Sequence, residues 1–526
     1  MTATVGVVST WAAIAALVGA GGLAATGRHA PARRLHRIGA ALAVLAVGAI
    51  GWALASGDFT LAYVAAVSDR STSWPYRIAG IWGGMGGSLL LWAALVALWG
   101  TRRRPVGAER AALAVLAAAL LAVDAVWATP FHRLAAPAID GIGATPILRH
   151  PAMLYHPPIL YLGLTGLAVP WAAVVGGAID ARVRRPLLVC FGLLTIGMVA
   201  GAHWAYVELG WGGYWAWDPV ENTALLPWLA TAGALHGLVA RRRHGRPGLA
   251  TPVLATAALT LAMGGTLLTR SGAAPSVHAF GEDRAVGWAL LVVLLAVVAA
   301  TVVALVRRPA SIPPIDPAPR RGREALAVAA QPWLAAFAVA VVLLGTVRPL
   351  VGDDAVAVDG SYYASLPAPV GLVALALLLR FRPTHLAHIG VVVLAIGLAG
   401  STRSSSGSAT LAEGESLRVR GWEVRNDGVR LDGDRTVVVD LAVLRGGDER
   451  THLEPSLVAF PERGVLLAET SLRSTPLTDV QVVLRDADDD GRALVEVHVR
   501  PLVWFVWWGG LLIGASVLWG AARIRP

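Results

Sequence analysis

The sequence predicts an all-α polytopic membrane protein of about 13 transmembrane helices, with a small β-rich, outward-facing domain before the last helix. Three observations carry that prediction. Hydrophobic residues fill 56% of 526 positions and charged residues 15%, so the bilayer rather than water solvates most of the chain. The apolar residues gather in runs of about 17 to 25, the length that crosses a hydrocarbon core of about 30 Å. One polar segment, 402–500, departs from this habit and alternates with a period of two.

The apolar runs lie near 4–26, 36–56, 78–100, 108–128, 156–178, 186–202, 219–240, 249–268, 285–306, 325–348, 366–380, 385–401 and 501–520. Residues 1–401 thus form a transmembrane core, and 501–526 a final helix with its tail. Alternate connections are basic: Arg102–Arg104, Arg182 with Arg184 and Arg185, Arg241–Arg243, Arg307 and Arg308 with Arg320–Arg323, Arg380 with Arg382, and the terminal Arg523 and Arg525. The positive-inside rule places these in the cytoplasm and turns the loops near 57–77, 129–155, 203–218, 269–284 and 349–365 outward. No basic stretch precedes the first run, which predicts an outer N-terminus rather than a cleaved signal peptide, with the C-terminus inside. The net charge of +10 is therefore a topology signal and not a nucleic-acid surface. The single cysteine, Cys190, excludes a disulfide framework and a cysteine metal site.

Within 402–500, Thr436–Leu444 and Ala493–Val499 read as strands, and Asn426-Asp427-Gly428 and Arg445-Gly446-Gly447 read as turns. Asp486-Ala487-Asp488-Asp489-Asp490-Gly491 resembles the start of a calcium loop. Val497 stands where that loop needs its bidentate acid, so a solvated hairpin turn is the better reading.

The loop region 203–222 concentrates rings: Trp204, Tyr206, Trp211, Tyr214, Trp215 and Trp217, with Gly212 and Gly213 among them. An aromatic belt at the headgroups needs only one or two rings per helix end. Glycines let backbone lie against a planar ligand while indoles stack on its face, so this loop suits a flat aromatic molecule. Asp218-Pro219-Val220-Glu221 then reads as an N-cap, a proline at N1 and a carboxylate at N3, a capping box that starts a helix abruptly.

The histidines sort by depth. His156 opens the fifth run and His278 lies in an outward loop, so both reach the outer surface beside the rings, where two imidazoles suit the axial positions of a haem iron. His236 lies 17 residues after Pro219, about 25 Å inward at the helical rise of about 1.5 Å per residue. His388 follows Arg382 closely in a run heading outward, so both arrive in the inner half of the membrane at matching depth, compatible with ligating a second haem. His29, His36, His244, His452 and His498 read as solvated and His132 and His150 as reserve ligands, while His385 lies nearer the cytoplasmic face and His203 would have to displace one of the outer pair.

At these residues the chain resembles the CcmF family, the haem-handling component of system I cytochrome c maturation. The resemblance rests on WGGYWAWDPVEN at Trp211–Asn222 and on PWL at Pro227–Leu229. It extends to Tyr76-Arg77-Ile78-Ala79 with Trp82-Gly83-Gly84, and to Gly87-Ser88-Leu89-Leu90-Leu91-Trp92. His156-Pro157-Pro158, Thr269-Arg270-Ser271-Gly272, Ala387-His388-Ile389-Gly390 and Thr475-Pro476-Leu477-Thr478-Asp479-Val480 complete it over nearly the whole chain. Asp218-Pro219-Val220-Glu221-Asn222 favours CcmF over CcmC and over the system II synthases similar to CcsA. Tyr214 and Ala216 depart from the family's usual tryptophan and phenylalanine, and Thr145 and Arg149 from its asparagine and glutamine.

The resemblance implies a haem lyase subunit in the bacterial inner membrane. A transient haem is then held by Trp204, Trp211, Gly212, Gly213, Tyr214, Trp215, Trp217 and Asp218, with His156 and His278 on its iron. A stable b-type haem takes His236 and His388, while Arg270 and Arg149 are candidate propionate partners. The implied partners are a CcmE-like haem chaperone, CcmH/CcmI-like proteins that present apocytochrome c, the apocytochrome itself, and quinol as a source of electrons. The competing readings are a haem carrier or exporter without lyase activity, a system II-type synthase, and an ordinary transporter that binds no pigment.

Overall fold

The computed structural model describes residues 1–102, 107–177, 181–244, 249–273, 276, 283–307, 323–351, 386–488 and 490–524. Its helices are α1 (Thr2–Ala25), α2 (His29–Ser56), α3 (Ala62–Val67), α4 (Trp74–Ala79), α5 (Met85–Gly100), α6 (Ala108–Val123), α7 (His156–Gly166), α8 (Ala168–Val175), α9 (Ala181–Glu208), α10 (Pro219–His244), α11 (Ala250–Ser271), α12 (Arg284–Arg307), α13 (Arg323–Val351), α14 (Leu386–Ser401) and α15 (Val503–Arg523). Among the described residues, ten helical stretches are long and apolar enough to cross a membrane, and α5 and α14 are shorter apolar helices. Together they stand at twelve of the thirteen expected runs. The run at 366–380 lies outside the described residues.

The boundaries differ from expectation where local chemistry intervenes. α2 begins at His29, so Arg33, Arg34 and Arg37 belong to its first turns. His36, expected in solvent, is fully buried and donates from Nε2 to the Ala97 carbonyl at 2.9 Å. The run at 78–100 is broken at Gly80–Gly84, a stretch whose glycines disfavour a continuous helix. Tyr63 fills the gap and donates from its hydroxyl to Gly80 O at 2.7 Å. α9 runs on to Glu208, which puts Trp204 and Tyr206 on its last turns and leaves only 209–218 as loop.

Between α14 and α15 lie ten strands: β1 (Ser405–Leu411), β2 (Ser416–Val419), β3 (Trp422–Asp432), β4 (Thr436–Arg445), β5 (Asp448–Leu453), β6 (Ser456–Phe460), β7 (Val465–Glu469), β8 (Ser471–Arg473), β9 (Thr478–Ala487) and β10 (Ala493–Pro501). One antiparallel sheet has the order β1-β10-β9-β8. The other has the order β2-β3-β4-β6-β7, with β5 also on β4. Their inward residues, Val439, Leu441 and Val443 from β4 with Val495, Val497 and Val499 from β10, share one core. Arg445-Gly446-Gly447 is the expected turn. Asn426-Asp427-Gly428 is instead a bulge inside β3, where the register shifts. Asn426 is buried there and donates to Leu411 O and Gly491 O, bonds that no exposed turn would make. The acidic run at 486–491 joins β9 to β10, with Asp488 accepting from the amides of Asp490 and Arg492.

α14 and α15 meet through glycines. A side chain at Gly397 would strike Val506 N at 2.5 Å, and one at Gly390 would strike Gly509 O at 2.9 Å. Helices in lipid associate by such close backbone approach. Gly397→Leu is expected to cost about 1–3 kcal/mol, as overpacking does, and to lower the thermal midpoint of the solubilised protein. Gly48→Leu, where nothing lies within 4 Å, is expected to leave the midpoint in place. Equal midpoints for the two variants would contradict the packing.

Candidate functional site

The aromatic loop is tied to the start of α10. Glu221 accepts from the amides of Ala216 at 2.8 Å and Asp218 at 3.2 Å, and Asp218 Oδ1 accepts from Val220 N at 2.7 Å. This is the expected capping box, extended by one amide. Trp217 has a left-handed backbone (φ +58°), uncommon and strained for a residue with a side chain. Asn222, buried, donates to its carbonyl at 3.2 Å, and its indole packs with Leu226 and Val342. Trp215 meets Trp217 edge to face at 6.1 Å, and its buried indole N–H has no acceptor among the described residues. Trp211 is 39% exposed and lies over Gly213, whose missing side chain makes the room. Tyr214 bonds its hydroxyl to Ser401 at 2.6 Å and sets its ring edge against Trp507.

Beside the loop is a cavity of about 1120 Å³, its open mouth included, lined by Trp82, Trp92, Tyr161, Trp204, His156 and Arg270 among others. Trp204 is thus on the cavity through α9, whereas Trp211–Trp217 lie outside its lining. His156 donates from Nδ1 to Gly197 O at 2.8 Å, and a side chain at Gly201 would occupy its ring. The two glycines of α9 seat the imidazole with Nδ1 committed to a backbone carbonyl, the orientation that metal-ligating histidines favour. Arg270 is 8% exposed; it donates to Ser88 Oγ at 2.9 Å and to Thr269 Oγ1, and its Nε has no partner among the described residues. A buried guanidinium with a spare donor calls for an anion. Arg149 pairs with Asp69 at 3.2 Å and lies over Phe460, so it is committed to joining loops.

His278 lies outside the described residues. Ser276, which is described, donates to Asp218 Oδ1 at 2.7 Å at the cap of α10. His236 and His388 do meet: their ring centroids are 6.3 Å apart, with 38° between the planes. An iron about 2.0–2.1 Å from each of two imidazole nitrogens, with each nitrogen about 1.1 Å from its ring centre, requires a separation of about 6.3 Å. His236 donates from Nδ1 to Ala232 O at 2.9 Å, so Nε2 is the atom that could ligate a metal. Ala232, Leu235, Ala387 and Val391 make the surroundings apolar. The donor set, spacing and surroundings fit a bis-imidazole haem.

The solvated reading also fails for His498, which is 5% exposed and lies against Gly212. His452 is exposed and bonds Asp440 and Glu449. Asn222, Gly197, Gly201 and Ser88 are site residues that the histidine and ring patterns did not single out. Asn222 and Ser88 lay within the quoted motifs, and the glycines are spaced by one helical turn. Glu221→Ala is expected to cost about 1 kcal/mol of capping and to speed hydrogen exchange of the 216–222 amides about five-fold. Glu221→Gln, which keeps an acceptor, is expected to stay near the native rate; unchanged exchange in Glu221→Ala would show that the cap does not hold the loop.

The chain was compared with known proteins. The family model described as cytochrome C assembly protein matches residues 82–274, which include the loop, His156, His236 and Arg270. The probable cytochrome c-type biogenesis protein NrfE of Escherichia coli is 32% identical, over 91% of this chain and 93% of its own length. The cytochrome c-type biogenesis protein CcmF of Pseudomonas fluorescens is 30% identical, over 92% and 89%. A solved structure titled cytochrome c heme lyase CcmF shares the fold with a TM-score of 0.79 at 23% identity, covering 99% of this chain and 98% of the other. With such identity to full-length relatives and the same fold, the chain belongs to the CcmF family of cytochrome c-type biogenesis proteins.

Proposed function

We propose that the chain is a haem lyase subunit that holds a haem substrate at the aromatic loop for attachment to apocytochrome c on the outer side of the membrane. The observation that carries this reading is the cavity in which His156 and Arg270 face tryptophan rings. An imidazole suits the iron, a buried guanidinium with a spare N–H suits a propionate, and indole faces suit the macrocycle. Trp215 and Trp217, which lie outside the lining of that cavity, would cover the haem from the loop, and His278 is the expected second imidazole. Attachment adds each cysteine S–H of a CxxCH motif across a vinyl C=C: a carbon–sulfur bond forms, the proton goes to the neighbouring vinyl carbon, and nothing is oxidised. The chain's residues fix the orientation of the substrate and exclude water from it.

His236 and His388 would hold a resident b-type haem. That group, when bound, supplies a one-electron carrier, with quinol as the source, that keeps the substrate iron ferrous. The residues' part is to set the site: Ala232 O fixes the His236 tautomer, and the apolar neighbours exclude water. A CcmE-like chaperone delivers the haem, and CcmH/CcmI-like partners present the apocytochrome.

The purified chain is expected to show a low-spin haem spectrum that His236→Ala and His388→Ala each abolish. His156→Ala is expected to keep that spectrum and to lower covalent haem on a coexpressed apocytochrome more than ten-fold, the scale of losing a metal ligand or its support. A native spectrum in both membrane variants would overturn the resident site. Native covalent haem in His156→Ala would overturn the substrate site, and haem binding with no thioether product would identify a carrier.

A further inference from the structure

The β-domain reaches the aromatic loop and the helix end before it. The last carbonyls of a helix have no partner within it, and those of α9 find theirs on the sheets. Gln481, on β9, donates from Nε2 to Tyr206 O at 2.7 Å, and Thr470, between β7 and β8, donates to Val207 O at 2.5 Å. Arg485, also on β9, donates from Nη2 to Gly210 O at 2.7 Å, while Glu496 on β10 holds the same guanidinium at 2.6 Å. The Tyr206 hydroxyl donates to Asp479, and the Arg500 guanidinium lies 5.6 Å over the Tyr206 ring.

The two glycines that follow fit this surface and no other residue would. Gly210 and Gly212 are left-handed, at φ +64° and +75°. A side chain at 210 would meet Val483 at 3.2 Å, and one at 212 would meet His498 at 2.5 Å and Arg500 at 2.7 Å. Burial, helped by the neighbouring Arg500, holds the His498 imidazole below its ordinary range. Glu496 lies between His498 and Arg485, with Oε1 3.2 Å from His498 Nε2 and Oε2 accepting from the Arg485 guanidinium. The loop is thus held at residues 206, 207, 210 and 212 by the β-domain and at 216 to 218 by the cap of α10. Only Gly213, Tyr214 and Trp215 lie between.

We propose that the β-domain sets the position of the aromatic loop, with Arg485 and Gln481 as positioning residues for the haem substrate. This rests on the reading that Trp215 and Trp217 cover that haem. Arg485 touches no substrate: it fixes the Gly210 carbonyl, and through it the path of the chain to the indoles.

The test measures covalent haem on a coexpressed apocytochrome, per full-length chain in the membrane, with the other maturation components present. Arg485→Ala is expected to lower it about ten-fold at limiting haem supply, the scale of losing a hydrogen bond from a charged donor. Raising the haem supply is expected to restore most of the loss, because positioning acts on substrate affinity. Arg485→Lys, which keeps a cationic donor, and Glu496→Gln, which keeps the bond to Gly210, are expected to stay within about three-fold of native. In a Trp217→Ala background, Arg485→Ala is expected to add nothing. Native yield in Arg485→Ala, a loss in Glu496→Gln as large as in Arg485→Ala, or full multiplication of the losses in the double variant would each overturn the positioning role. Native yield in Trp217→Ala would instead overturn the haem-covering role on which it rests.

Discussion

The carboxylate of Glu221 accepts from the amides of Ala216 and Asp218, and the rest of the site depends on where that bond starts α10. The cap sets the helix at Pro219, so every side chain on α10 inherits its depth and angle from it. Seventeen residues later His236 arrives opposite His388, at the spacing two imidazoles need around one iron. On the other side of the cap, Trp217 is forced into a left-handed backbone that turns its indole onto Leu226 and Val342. A slip of one residue in the helix start would rotate His236 by about 100° and break both relations.

In a membrane the backbone must be satisfied internally, and this constraint explains the remaining architecture. Around the aromatic loop, irregular chain among the described residues finds its partners on other loops and on strands. Arg149 with Asp69 joins two of those loops, and Arg463 donates to Gly143 O. The carbonyls of Tyr206 and Val207 at the end of α9 go to Gln481 and Thr470, and that of Gly210 in the loop goes to Arg485. The domain between α14 and α15 therefore completes the helix end on which the aromatic loop is built. α14 carries His388 and leads directly into β1, so the two proposed haem sites share structural support.

Much of this was legible in the residues. Apolar run length marked twelve helices, and the period-two alternation of Val437, Val439, Leu441 and Val443 marked β4. Asp218-Pro219-Val220-Glu221 announced its own cap because capping is local chemistry. His236 and His388 could be matched because helical rise converts sequence distance into depth. What escaped was long-range. His36 looks solvated beside its arginines until Ala97 O buries it, and His498 looks like any strand residue until Gly212 lies on it. Asn426-Asp427-Gly428 has turn composition, yet the Asn426 amide bonds Leu411 O and Gly491 O within the core. The Tyr214 contacts with Ser401 and Trp507 were also out of reach, since only the folded α14 and α15 supply them.

The central claim is that His236 and His388 bring two imidazoles to one iron within the membrane. Near-infrared magnetic circular dichroism of the oxidised, solubilised full-length chain reads axial ligand identity directly. A bis-imidazole haem between α10 and α14 predicts the charge-transfer band of paired histidine ligands, at one haem per chain. A colourless protein, or a band of histidine paired with another ligand type, would contradict it.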